Sequence, residues 1–360
     1  MIQLFKSIKP TTRYLIILLM LGIAVFSIWK VFMTEQTYRY QVVTSSPRGY
    51  EGLIESTNSY LMDKKGQIIT GFGGSRSSGG WGNGVQSSSS SYYPLPASFK
   101  VRWYSLAEKQ YWEGTFPLPQ ERIKTLLEAE VGQVDPFMKE PSALSLYSRK
   151  LVINVTPGGG VFVWINGHKL EYIGFFQAHK IPPMDWAEMR DYTLGFDVAK
   201  ETLEQDNLNE AKESLPAEEA AAIAAGKIPG VEHWKRRQQY YDWRFVVDEP
   251  FVLKDYKTWY TSGEIWSTYA NQTGQYHHEA VPQDMMFVIE DKAGKRQRLS
   301  VDFNQTQLMD DFEEMGKNGQ KITLKLKIAD DLSTVAAFIG NDKISKEFDP
   351  LKADVWDLYD

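Results

Sequence analysis

"TPGGGVFVWING", residues 156–167, carries four of the chain's 27 glycines, three of them consecutive. A phosphate-cradling loop needs a strand, then GxxxxGK[ST], then a helix whose first amides face the phosphate. Here Pro157-Gly158-Gly159-Gly160 runs instead into "VFVWI", a β-branched and aromatic strand, with no Lys-Ser or Lys-Thr behind it. The dinucleotide pattern fails for the same reason, because no helix opens after the glycines. GxSxG, the nucleophile elbow, does not occur. A tight corner between antiparallel strands remains, where Pro presets one φ and Gly supplies a positive one. Asn166-Gly167 then gives a strong hairpin signal leading into "HKLEYIGFF". Residues 150–176 thus read as strands joined by tight turns, and the fold as sheet-based.

The same alternation extends outward on both sides. "SFKVRWYS" (98–105) and "KQYWEGTF" (109–116) read as a hairpin, and "LPQERIKTLLEAEVG" (118–132) as a helix with Pro119 in its first turn. Further on, "DMMFVIE" and "KRQRLSVDF" flank Ala293-Gly294 as a second hairpin. Asn304 caps a short acidic helix, and "KITLKLKI" (321–328) alternates as a strand with one wet side. Residues 185–243 are helical and charged, as in "PAEEAAAIAAGK", and read as an insertion on the sheet's edge. From Gly71 to Ser91, 15 of 21 residues are Gly or Ser, too little apolar surface for a core. Trp81 is the one tryptophan within this stretch, a candidate loop contact. No internal repeat stands out.

The first 33 residues are of another kind. Lys6, Lys9 and Arg13 precede an uncharged apolar run from Tyr14 to Trp29, which continues past Lys30 to Met33. At about 1.5 Å per residue such a helix spans roughly one hydrocarbon core. Its basic flank keeps the N-terminus cytoplasmic. The expected class is α+β: an N-terminal transmembrane helix, then a mainly antiparallel β-sheet with a helical, charged insertion. The expected units are residues 1–33 as cytoplasmic tip and membrane anchor, and 34–91 as a strand-poor lead-in. Residues 92–250 form a β-rich core with its insertion, and 251–360 a C-terminal α+β region.

Four of the 40 cations lie in residues 1–30, which hold no acid. The remainder sets 36 basic against 46 acidic side chains, a formal net of −10. That balance argues against nucleic acid as a partner. With no cysteine, disulfides, thiolate metal sites and cysteine nucleophiles are excluded. The five histidines (168, 179, 233, 277, 278) make no HxH, HExxH or HxxxH, so no metal or cofactor is expected. A triad built on Ser262 of "TSGE" has no support in the spacing, and no catalytic residue is assigned.

The central block resembles a bacterial family known as domain of unknown function 2931. The resemblance rests on Leu95-Pro96, Arg102-Trp103, Ser105-Leu106, Tyr111 and Leu118-Pro119. Pro157-Gly158-Gly159, Val161, Val163-Trp164 and Gly167 then follow in the same order. It implies an envelope protein of Gram-negative bacteria without enzymatic activity, some relatives resembling immunity partners of type VI secretion lipase effectors. Many such proteins are lipoproteins; here a membrane anchor stands in place of the lipidated cysteine. The expectation is a single-pass inner-membrane protein, its bulk in the periplasm, that binds a protein such as a secreted lipase effector. Trp81, Arg102, Trp103 and Trp164 are the candidate contacts. Trp164 faces away from Val163 and Ile165, so its side of the strand is expected to be open. The alternatives are a structural or accessory component of the envelope or secretion apparatus, or an enzyme acting on lipid or glycan.

Overall fold

A computed structural model describes residues 36–77, 80–82, 85–86, 88–129, 149–166, 170–193, 197–248, 250–268, 274–342, 344–348 and 352–357. The apolar run at 14–33, Gly132 and Gly167 lie outside them. Among the described residues no helix is long and apolar enough to cross a membrane. Their strands form sheets of eleven, seven and five.

Two halves of the chain follow one plan. In the first, a lead strand, Thr37–Ser45, pairs in parallel with Arg149–Thr156. Between the two come the hairpin Ser98–Ser105/Gln110–Pro117 and the helix Gln120–Glu128. After them the meander continues through Gly160–Asn166 and Leu170–Gln177, and a closing strand, His179–Ile181, returns to the hairpin. In the second half the lead strand is Tyr240–Val247, parallel to Ile322–Ile328. The hairpin Pro282–Glu290/Arg296–Asp302 and the helix Gln305–Met315 lie between. The meander runs on through Val335–Gly340 and Ser345–Phe348, and the closing strand Lys352–Asp357 again returns to the hairpin.

The correspondence reaches single bonds. Leu118 N–H donates to Ala97 C=O just before the first helix, and Phe303 N–H to Gln283 C=O just before the second. This duplication corrects the expectation of no internal repeat. Because inward positions need only be apolar, the halves use different residues: Phe99, Val101 and Trp103 on one hairpin, Met285, Phe287 and Ile289 on the other, all buried. The first core lies between the first half's two layers and holds Tyr40, Val101, Trp103 and Val163. The second holds Phe245, Phe287, Leu324 and Phe312.

Four more expectations need correction. Residues 34–91 are not strand-poor: they supply the lead strand and five shorter ones, Gly52–Ile54 and Tyr60–Met62 among them. The division at 250 falls inside the second half, because Trp243 and Phe245 belong to its core. The insertion helices lie on sheet faces rather than an edge: Trp186–Thr193 packs on Tyr104 and Tyr111 of the hairpin, and Lys200–Ser214, Ala217–Ala224 and Val231–Arg236 cover the meander. Their Ala211, Ile223 and Trp234 pack on Val43, Val152, Phe162 and Trp164. Both faces of this part of the sheet are therefore buried, and Trp164 is closed in, not open.

The glycine corner is as read: Pro157–Gly159 forms one short turn between antiparallel partners, with Thr156 opposite Gly160. Gly159 has φ +73°, and a Cβ there would sit 2.4 Å from the Trp112 ring, so both conformation and space demand glycine. Asn166 ends the next strand, which pairs antiparallel with Leu170–Gln177 as expected.

Candidate site at the seam between the halves

The halves meet edge to edge. Leu170–Gln177 of the first pairs with Ile265–Thr268 of the second through one register pair, Leu170 with Ile265. So short a ladder holds little by itself, and side chains gathered on the turn Thr261–Glu264 reinforce it. Trp164 Nε1–H donates to Ser262 C=O at 3.0 Å, and Gln238 Nε2 donates to the same oxygen at 2.9 Å. Gly263 has φ +85° and lies under Trp81, whose Cδ1 would be 2.9 Å from an added Cβ. Glu264 extends its carboxylate back to the first half: Oε1 accepts from Tyr172 N–H at 3.1 Å. Oε2 accepts from Tyr240 Oη–H at 2.5 Å and Ser262 Oγ–H at 3.0 Å.

Beside this turn lies a cleft of about 110 Å³ lined by Leu170, Glu171, Tyr240, Tyr260, Glu264, Ile265, His278 and Glu279. Tyr260 Oη–H donates to Glu279 at 2.5 Å. His278 stacks on Tyr240 with ring centroids 5.8 Å apart and meets Asp242 through Nδ1 at 2.8 Å. Burial, reinforced by the neighbouring carboxylates, pushes the phenols of Tyr240 and Tyr260 well above their ordinary value of 10.0. Both hydroxyls therefore stay protonated and donate. The result is an acidic recess with aromatic and aliphatic walls, suited to accepting hydrogen bonds from a cation. Ser262 Oγ is turned to Glu264, and no group of three or more His, Asp or Glu among the described residues is placed to hold a metal.

The residues singled out in the sequence sit elsewhere or inside. Trp103 and Trp164 are buried, so neither presents a surface to a partner. Trp81 is half-buried among Phe162, Trp164 and Trp234, with centroids 4.8–5.8 Å away, and its loop is pinned inward rather than offered outward. Arg102 is engaged across its hairpin by Glu113, 2.5 Å from Nε, and by Glu55 at 3.4 Å. Burial tends to raise Glu113, but hydrogen bonds from Arg102 and Lys100 outweigh it and hold this carboxyl below its ordinary value. Trp81 and Trp164 do gather at the seam, as struts behind the cleft. The cleft residues themselves come from positions 170–171, 240, 260, 264–265 and 278–279, a spread with no local motif.

The chain belongs to the family described as "Protein of unknown function (DUF2931)", which matches residues 30–230. That span is the first half with most of the insertion helices; the second half lies beyond it. No curated protein matches the chain. A solved structure, the crystal structure of AofleA from Arthrobotrys oligospora, is 12% identical over 89% of each chain with a TM-score of 0.13, a likeness that carries no argument.

Proposed function

We propose that this member of the family is a non-catalytic, protein-binding protein of the periplasm, held to the inner membrane by residues 14–33. We take its task to be neutralising a lipase-like effector of a type VI secretion system. The observation that carries the reading is the cleft at the seam. Its carboxylates are oriented by tyrosines that remain protonated, an arrangement that receives a cationic side chain and does no chemistry on it. The acidic balance of the chain beyond residue 30 supports the same choice, since it steers a basic partner toward the recess. Occluding an active site needs complementarity alone, and a tether at the bilayer keeps the inhibitor where a lipase would act.

The test is protection. A periplasm-directed toxin encoded beside this gene is expressed in a susceptible host with and without this protein. Rescue is expected, and is expected to disappear when residues 1–33 are replaced by a cytoplasmic start. Within the rescuing chain, Glu171→Gln combined with Glu279→Gln should weaken the complex by about tenfold or more, as loss of charge-assisted contacts does. A folded, exported protein that gives no rescue would overturn immunity to that toxin and favour a structural role in the envelope.

A further inference from the structure

Among the described residues, the outer face of the second half's lead sheet has no helical cover, and at one place it gathers positive charge without a counter-ion. Arg244 lies on the lead strand, opposite Thr323 in the parallel register. Its guanidinium carbon lies 4.8 Å from the centroid of the Tyr276 ring, and Lys321 Nζ lies 4.8 Å from the same centroid. Tyr276 is exposed, as is Lys321. Among the described residues neither cation meets a carboxylate. Asp242, two positions before Arg244 on the same face, is taken by His278, and Lys325 further along is held by Asp248 at 2.9 Å.

The guanidinium is also oriented. Arg244 Nε–H donates to Thr323 Oγ1 at 3.2 Å, and Thr323 Oγ1 shares a hydrogen bond with Tyr276 Oη at 3.3 Å. This leaves the two terminal nitrogens of Arg244 and the ammonium of Lys321 as donors beside one ring. The electron-rich face of Tyr276 attracts both cations but does not cancel their mutual repulsion. An anion within reach of both would.

We infer that Arg244 and Lys321, positioned by Tyr276 and Thr323, form a binding site for a phosphate group. The guanidinium presents a planar fork, the ammonium a point charge, and together they match an anion with several acceptor oxygens better than a two-oxygen carboxylate. A lipid head group and free phosphate share this chemistry. The inference is independent of the cleft at the seam.

The full chain in neutral detergent micelles decides it. Inorganic phosphate, titrated against chloride at equal ionic strength, should raise the melting temperature saturably. Arg244→Gln and Lys321→Gln should each weaken that binding by about tenfold, while Arg244→Lys retains part of it. Short-chain phosphatidylglycerol added to the micelles, with phosphatidylcholine as control, separates the sources. Slowed amide exchange over 321–327 with phosphatidylglycerol identifies a head group as ligand; a response to inorganic phosphate alone identifies free phosphate. The inference is overturned if the wild-type chain responds to neither probe, or if both glutamine variants respond as the wild type does.

Discussion

In the first half the cross-strand row Val43, Val152 and Trp164 lies under helices; in the second the row Val246, Lys325 and Phe338 lies half-exposed. The backbone plan is the same, down to the parallel lead strand and the returning meander. What differs is the outer row. Inward positions alternate apolar in both halves because each core requires it, while outward positions answer to whatever lies above them. A tryptophan can stand in the outer row of the first half because the insertion supplies Ala211, Ile223 and Trp234 to cover it. Without such a cover, the second half carries lysine, arginine and threonine there.

The sharpest way to break this comparison is Trp164→Ala set against Phe338→Ala. Truncating the buried tryptophan should cost about 3–5 kcal/mol, because it leaves a cavity under the helices. The bare-face phenylalanine should cost about 1 kcal/mol or less. Equal losses in equilibrium denaturation would mean that the second half's outer face is covered after all.

A second pair isolates the seam. Gly263 and Gly294 have nearly the same dihedral, φ +85° and +82°, but only Gly263 has Trp81 above it. Gly263→Ala should cost about 2–3 kcal/mol, from the left-handed backbone and the steric contact together. The stability should be matched by a change in tryptophan fluorescence as Trp81 shifts. If the fluorescence is unchanged, Trp81 does not pack on the turn.

The hairpins differ in charge. Asp284 stands opposite Asp302, where the first half sets Ser98 opposite Pro117. Burial, with Asp302 beside it, raises the Asp284 carboxyl from 3.8 to about 6. The folded state thus holds this proton more tightly than the unfolded one. Its contribution favours folding below pH 4, is lost as pH rises through 6, and above that leaves a penalty of about 2 kcal/mol, once solvent screening of this partly exposed carboxyl reduces the roughly 3 kcal/mol that the shift alone gives. Asp284→Asn should stabilise the protein by about that amount at pH 8, with the gain vanishing below pH 4. A gain that does not change with pH would show that Asp284 titrates normally. Gly294→Ala should cost only about 1 kcal/mol, since nothing lies within 4 Å and only the dihedral resists. A loss equal to that of Gly263→Ala would remove Trp81 from the account of the seam.

Much of the local structure was legible in the sequence. "SFKVRWYS" and "KITLKLKI" declare their strands by period two, Asn304 does cap its helix by accepting from Gln307 N–H at 3.1 Å, and Pro157–Gly160 is a corner. Local signals failed where distant residues decided the outcome. Alternation leaves Trp164 with an open side because it cannot tell which of two faces a helix about 60 residues away covers. Trp81 sits in a Gly/Ser-rich stretch that composition reads as loose, but three aromatic partners from distant positions hold it. The duplication leaves no mark in the sequence because the two halves share pairings rather than residues: Pro157-Gly158-Gly159 turns one meander and Asp330-Asp331-Leu332-Ser333 the other. The cleft was invisible for the same reason, being assembled only when the halves join.

The parallel lead strands set an order of assembly. Val43 waits for Val152, 109 positions later, and Phe245 waits for Leu324, 79 positions later. Closing loops of this size carries a conformational cost before any contact is made, and topologies rich in such pairings fold slowly. As the chain emerges from its N-terminal end, the first lead strand must stand with an unpaired edge until residues 149–156 arrive. The seam, which needs both halves, follows. A chain interrupted before residue 149 would leave that edge open to any other extended segment nearby, so the interval between the two strands is when this protein is most prone to misassemble.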